Sequence, residues 1–195
     1  MSAQGIRLIV GLGNPGSQYA ATRHNAGAWF VEQFCQHYQV TLRSHPRFHG
    51  RYAYCSTDHL TCRLLIPTTF MNRSGVSVKA IAQFYRIPLA TILVVHDELD
   101  LPPGVARFKQ GGSTGGHNGL KDIVASFRDH GFWRLRLGIG HPGHRDQVHD
   151  YVLGIPSAVE LALIQQVMTE AKMLLPDFIQ GRYQQSMQCL HTPLK

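Results

Sequence analysis

The apolar run at residues 6–10, followed at once by Gly11-Leu12-Gly13-Asn14-Pro15-Gly16, constrains this chain more than any other stretch. Short, partly β-branched residues predict a buried strand, and the glycines with Pro15 forbid it to continue. A strand that ends in a glycine-rich turn predicts an α/β protein with a site at that turn. Asn14, Tyr19, Arg23, His24 and Asn25 crowd behind it, and Phe30, Val31, Phe34, Cys35 and Tyr38 then recur at helical spacing. This spacing sets His24 just ahead of a helix. Gly11, Gly13 and Gly16 also satisfy G-x-G-x-x-G. A dinucleotide site, however, needs the helix to open at the glycines and an acid about twenty positions on. Here a Pro15-Gly16 turn intervenes and the nearest acid, Glu32, falls in mid-helix, so context rejects the fingerprint.

A length of 195 residues with 44% hydrophobic and 16% charged residues suits a single domain with a sizeable core, taken as 1–195. There is no apolar run long enough to span a membrane and no basic start leading into a long apolar segment, so a cytoplasmic protein is expected. Cys35, Cys55, Cys62 and Cys189 form no C-x-x-C pair, which removes the usual zinc and redox motifs. Cys55 and Cys62 can face each other across a hairpin, and reduced core thiols are expected there. A net charge of +7 suggests a polyanionic partner, although a basic surface that only confers solubility has the same charge.

Further along, residues 51–55 and 61–67 read as two strands around a turn. The polar loop after them carries Phe70 and Met71, which either plug the core or touch a ligand. The apolar run at residues 91–95 delivers His96-Asp97-Glu98 at its carboxyl end, on the sheet edge where the Asn14–His24 loop also arrives. An aspartate beside a histidine fixes its tautomer and strengthens it as a base. No G-x-x-x-x-G-K-[ST] occurs, so the acidic strand is not that of a P-loop hydrolase. Residues 105–110 and 132–140 alternate, placing Lys109, Arg134 and Arg136 on strand faces as candidate phosphate contacts. Between them lies a glycine-rich loop containing G-x-S-x-G at residues 111–115. Its Ser113 lacks the apolar strand that a nucleophile elbow requires. Asn118 opens the next helix, as a cap, a ligand contact or both. The spacing of His141, His144 and His149 matches no zinc signature. Residues 150–154 end a short segment able to act as a lid. Ser157 with Glu160 predicts a capping box for the closing helix, and 183–195 reads as a loose tail.

Taken together and in order, G-L-G-N-P-G, T-R-H-N-A-G, P-T-T-F-M-N, H-D-E-L-D-L-P-P-G, G-G-H-N-G-L-K and R-L-R-L-G-I-G resemble the motifs of bacterial peptidyl-tRNA hydrolases. The resemblance runs from Ile6 to about Ile155. It implies a monomeric α/β domain with a twisted mixed sheet flanked by helices, without metal or cofactor. It also implies hydrolysis of the ester that joins a peptide to tRNA. Position by position, His24 would be the general base, Asp97 its stabiliser, and Asn14 the group that favours an N-blocked substrate. Tyr19, Phe70, Asn72 and Asn118 would contact the peptidyl-adenosine end with Met71 nearby, and Lys109 and Arg136 would hold tRNA phosphate. Two rivals remain: a non-catalytic RNA-binding protein of the same fold, and a serine esterase using Ser113.

Overall fold

The computed structural model describes residues 5–191. The first apolar run becomes β1 (Leu8–Gly11), buried along its length, and α1 follows as Ala26–His37. A short edge strand, β2 (Arg43–His45), precedes the hairpin of β3 (Gly50–Ser56) and β4 (Thr61–Pro67). Next come α2 (Ser74–Phe84), β5 (Ile92–Glu98), β6 (Ala106–Gln110), α3 (Asn118–Phe127) and β7 (Trp133–Gly138). The chain closes with α4 (Val148–Val152), α5 (Ala158–Ile179) and α6 (Tyr183–His191). The seven strands form one sheet in the order β2-β3-β4-β1-β5-β7-β6, with β4, β1, β5 and β7 parallel and antiparallel strands at both edges. This is the single α/β domain with a mixed sheet that the sequence predicts.

Alternation along the central strands divides the core into two layers. Ile9, Leu93 and Val95 pack with Phe30 and Phe34 of α1 and Ile164 and Met168 of α5. Leu8, Val10 and Val94 pack with Val78 and Ile81 of α2 and Leu120 and Ile123 of α3. Both sheet faces are covered, so the central strands are apolar throughout, as parallel strands between helices must be. The glycines near β1 serve this packing. A Cβ on Gly27 would lie 2.1 Å from the carbonyl oxygen of Val95, and one on Gly11 would lie 2.4 Å from that of Gly27. Only glycine lets the start of α1 sit this close to the sheet backbone, which is how the residues preceding α1 reach the carboxyl edge.

Cys55 and Cys62 are paired in register across the hairpin and, with Cys35, are buried free thiols. The capping box forms: Ser157 accepts from the Glu160 N–H, and the Glu160 carboxylate accepts from the Ser157 N–H. The expectation of a loose tail needs correction over Tyr183–His191, which is helical and packs on β6; residues 192–195 lie outside the described residues. The His191 imidazole accepts from the Phe108 N–H, and the His191 carbonyl accepts from Arg107. Sequence periodicity in so short and polar a helix was weak, whereas an edge strand with unpaired N–H groups gives the helix a place to dock.

Candidate active site

The carboxyl ends of β1 and β5, the loop after β4 and the start of α3 enclose a cleft of about 930 Å³. Asn14, Tyr19, His24, Phe70, Met71, Asn72, Asp97 and Asn118, far apart in the chain, all line it. His24 stands in a single 3-10 turn, Arg23–Asn25, immediately before α1, and is 8% exposed. Asp97 is the sixth residue of β5, so the strand extends further than its apolar residues alone suggest and carries the carboxylate into a buried position.

The His24 Nδ1–H donates to Asp97, with 2.9 and 3.0 Å to the two carboxylate oxygens. Burial alone would lower the His24 pKa, but the charge of Asp97 and this hydrogen bond outweigh it and raise the pKa above 6.5. With Nδ1 donating, Nε2 keeps the lone pair. Asp97 receives a second imidazole, because His117 Nε2 lies 2.9 Å from its Oδ1. The His117 Nδ1 accepts from the N–H groups of Gly119 and Leu120 and caps α3, so the ring proton must sit on Nε2 and point at Asp97. Burial would raise the Asp97 pKa, but the two histidines hold its carboxyl well below the usual carboxylate range. His96, next to it, is buried and neutral: burial and His117 push its pKa down to about 3, and its Nδ1–H donates to the Asp97 carbonyl.

His117 is the residue that sequence reasoning missed. A histidine directly before a helix can cap it through Nδ1, and that was the available signal. The cap of α3 is therefore His117 and not Asn118, which is the first helical residue and is exposed toward the cleft.

Asn14 is held on three sides. Its backbone N–H and C=O both bond to the side chain of Asn25, at 2.9 and 3.0 Å, and its Oδ1 accepts from the Met71 N–H at 2.8 Å. With the oxygen engaged, the amide Nδ2 is the group that Asn14 offers as a donor. The Phe70–Met71 pair divides the two readings between its members. Met71 is 4% exposed and belongs to the core, touching the cleft only at its margin, whereas Phe70 is 55% exposed and meets Tyr19 edge-on at 6.3 Å. The opposite wall is made by His141, Arg145, Val148 and His149 in and before α4.

Of the expected phosphate contacts, Lys109 is exposed on edge strand β6. Arg136 on β7 is tied through Nε to Glu98 at 2.7 Å, which leaves its terminal amino groups as donors. Arg134 is a correction. It is 4% exposed and its guanidinium donates to the carbonyls of Gly111 and Ser113, so it holds the glycine-rich loop in place. Alternation placed it correctly on the basic face, but that face is covered by the loop at this point. Ser113 itself is exposed and lies outside the cleft lining that holds His24 and Asp97. Among the described residues, His24, Asp97 and His117 form the group of donors close enough to share a cation, with ligand atoms within 4.8 Å. Their nitrogens bond directly to the carboxylate, so a cation would have to displace both hydrogen bonds. His141, His144 and His149 form no such group among the described residues.

Fold and site define a class: a single-domain α/β protein in which a carboxylate orients a buried imidazole at the carboxyl edge of a mixed sheet. Comparison with known proteins narrows it. A family model described as peptidyl-tRNA hydrolase matches residues 8–195. The chain is similar to the peptidyl-tRNA hydrolase of Methylobacillus flagellatus, at 51% identity over 191 residues covering 98% of this chain and 99% of that one. It is likewise similar to that of Haemophilus influenzae, at 55% identity over 167 residues covering 85% and 86%. The crystal structure of peptidyl-tRNA hydrolase from Acinetobacter baumannii superposes with a TM-score of 0.93 at 47% identity, covering 97% of this chain and 96% of that one. The chain belongs to the peptidyl-tRNA hydrolase family.

Proposed function

We propose that this protein hydrolyses the ester between a peptide and the terminal ribose of tRNA, releasing both. The observation that carries the reading is the His24–Asp97 pair in a cleft also lined by Asn14. Ester hydrolysis needs a base that titrates near neutrality, and an imidazole whose Nδ1 is fixed on a carboxylate presents its other nitrogen as that base. His24 Nε2 removes a proton from water as the water attacks the ester carbonyl, and the resulting imidazolium returns the proton to the leaving ribose oxygen. Asp97 keeps the tautomer and stabilises the cation without itself taking the proton.

The amide Nδ2 of Asn14, positioned by Asn25 and Met71, donates to the peptide or to the developing oxyanion, and Asn72 and Asn118 hold the rest of the acyl and adenosine end. Amides carry no charge to attract a free ammonium, which favours N-blocked substrates over ordinary aminoacyl-tRNA. Tyr19 and Phe70 supply flat apolar surface at the mouth, Met71 fixes Asn14, and Lys109 and Arg136 contact tRNA phosphate. In this reading the protein needs no metal or cofactor, and it acts as a monomer in the cytoplasm, where its substrate is made. Among the described residues no helix is long and apolar enough to cross a membrane.

The test is to incubate N-acetylated and unblocked aminoacyl-tRNA with the wild type and His24→Ala in the presence of a chelator. Cleavage of the blocked form alone, lost in the variant, is expected. Cleavage that needs an added divalent metal, or that survives in His24→Ala, would overturn the mechanism. No cleavage with tRNA still bound would turn the reading to a non-catalytic RNA-binding protein.

A further inference from the structure

Away from the cleft, a ladder of aromatic rings and arginines covers the sheet edge formed by β2, β3 and β4 together with the end of α2. Arg47 lies 4.2 Å over the ring of Phe84, and Arg63 lies 4.0 Å from the ring of Tyr85 and 5.1 Å from that of Tyr54. Phe48 links these groups, stacked on His45 at 3.9 Å and packed against Phe84 and Tyr52 at 5.5 and 5.4 Å. Arg43 stands opposite Tyr52 in the β2–β3 register, and Arg86 follows Tyr85 directly.

Four arginines of the strip stand without a carboxylate partner among the described residues. Arg23, Arg51, Arg136 and Arg182 each have a carboxylate partner, whereas among the described residues Arg43, Arg47, Arg63 and Arg86 have none within ion-pair distance. The strip therefore concentrates positive charge that the protein does not neutralise. A guanidinium laid on a single ring, as Arg47 is on Phe84, has one face occupied while its N–H edge stays available, and that edge matches phosphate in bidentate geometry; Arg63, near two rings and hydrogen-bonded to Tyr52, adds positive charge to the strip. The rings are covered by cations and so offer poor platforms for stacking bases. The chemistry points to a phosphate backbone, not to nucleobases.

One end of the strip adjoins the cleft, and the other, with Arg63 beside Leu8 and Arg86 beside Arg7, lies toward the edge of the sheet opposite the cleft. The Thr68 N–H donates to the His49 carbonyl at 2.9 Å, tying the turn that bears Arg47 and Phe48 to the segment that bears Phe70 and Asn72. From Pro67 at that end, β4 runs back to Arg63, about 13 Å at roughly 3.3 Å per residue. The sheet order puts the strip at the edge opposite β6, which carries Lys109, so the cleft is flanked by cations on two sides.

We infer that this strip binds the phosphate backbone of the tRNA body while the acceptor end occupies the cleft, an inference that rests on the function proposed above. Its test compares the wild type with Arg47→Gln/Arg63→Gln/Arg86→Gln and with the corresponding triple Lys variant. Binding of uncharged tRNA is followed by fluorescence anisotropy between 50 and 200 mM salt, and hydrolysis of a short N-acetyl-aminoacyl oligonucleotide is measured alongside. The Gln variant should bind tRNA more weakly, with the slope of log affinity against log salt reduced by roughly two to three, at about 0.9 per phosphate contact. The Lys variant should keep most of the slope. Hydrolysis of the short substrate shows whether fold and cleft survive. Should the triple variant fail to fold, Arg47→Gln/Arg86→Gln, both at exposed positions, should still reduce the slope by roughly two. An unchanged slope in a folded Gln variant would overturn the inference, as would equal losses in the Gln and Lys variants on both substrates. If the wild type binds tRNA through the strip yet cleaves no short substrate, the proposed hydrolase function fails and the strip stands.

Discussion

Asp97 is the residue on which the proposed chemistry turns, because one carboxylate accepts hydrogen bonds from two imidazoles with different duties. In the proposed mechanism His24 acts only without a proton on Nε2, so activity should rise with pH through an apparent pKa above 6.5, the direction in which Asp97 displaces it. A pH profile of kcat/KM checks this. Asp97→Asn removes the charge that raises the pKa, so the acidic limb should move to lower pH while the plateau falls. His117 draws part of the carboxylate's charge to itself. Its replacement by Ala leaves that charge undivided on His24 and should move the limb to higher pH. A limb that stays in place in both variants would mean that another group limits the rate. His24→Ala should lower kcat by about 10²- to 10⁴-fold with little change in tRNA affinity, which single-turnover assays and binding titrations separate.

At the scale of elements, the position of α1 decides whether the base reaches its carboxylate. Gly27→Ala would press a methyl group against the Val95 carbonyl from 2.1 Å, so α1 must move outward or bend. Overpacking of this kind costs about 1–3 kcal/mol, which corresponds to roughly 2–12 °C in Tm for a chain of this size. Because His24 sits directly ahead of the helix, kcat should fall along with stability; calorimetry and steady-state assays on one preparation would show both. The basic strand faces predict a different signature. Lys109 is exposed on β6 and has no carboxylate partner among the described residues. Lys109→Ala should therefore raise KM for full-length substrate and reduce the salt slope by about one, leaving a short substrate untouched. Arg136→Ala should do the same and additionally disturb Glu98, its partner at the cleft.

At the scale of the whole molecule, the C-terminal helix closes the sheet. Removal of residues 183–195 would uncover the β6 edge, leave the Phe108 N–H without its His191 acceptor and free Arg107. The truncated protein should melt several degrees lower and self-associate more readily, read by thermal melts and light scattering. Short-substrate turnover at low temperature should be kept, since the cleft takes no residue from α6. Equal melting of both forms would assign the helix no role in stability.

The first strand, read over residues 6–10 and found at Leu8–Gly11, the turn behind it, the helix spacing and the meeting of His24 with Asp97 were all legible in the linear chain. They rest on local rules: β-branched runs, glycine and proline punctuation, and the shared carboxyl edge of parallel strands. Phe70 and Asn118 could be singled out from their loop positions, whereas the roles expected of Asn14 and Asn72 came from the resemblance of their motifs to those of bacterial peptidyl-tRNA hydrolases. What local rules could not carry is which further side chains converge on the carboxyl edge and what covers them. The second imidazole on Asp97 comes from 20 residues further on, and its tautomer depends on the backbone of α3. Arg134 and Arg136 look alike in alternation, and only the loop folded over one of them separates a buried brace from a surface cation. The division of Phe70 from Met71, the helix within the expected tail and the carboxylate-free arginine strip were likewise decided by packing. Which neighbour covers a side chain is a property of the folded surface, and no local pattern encodes it.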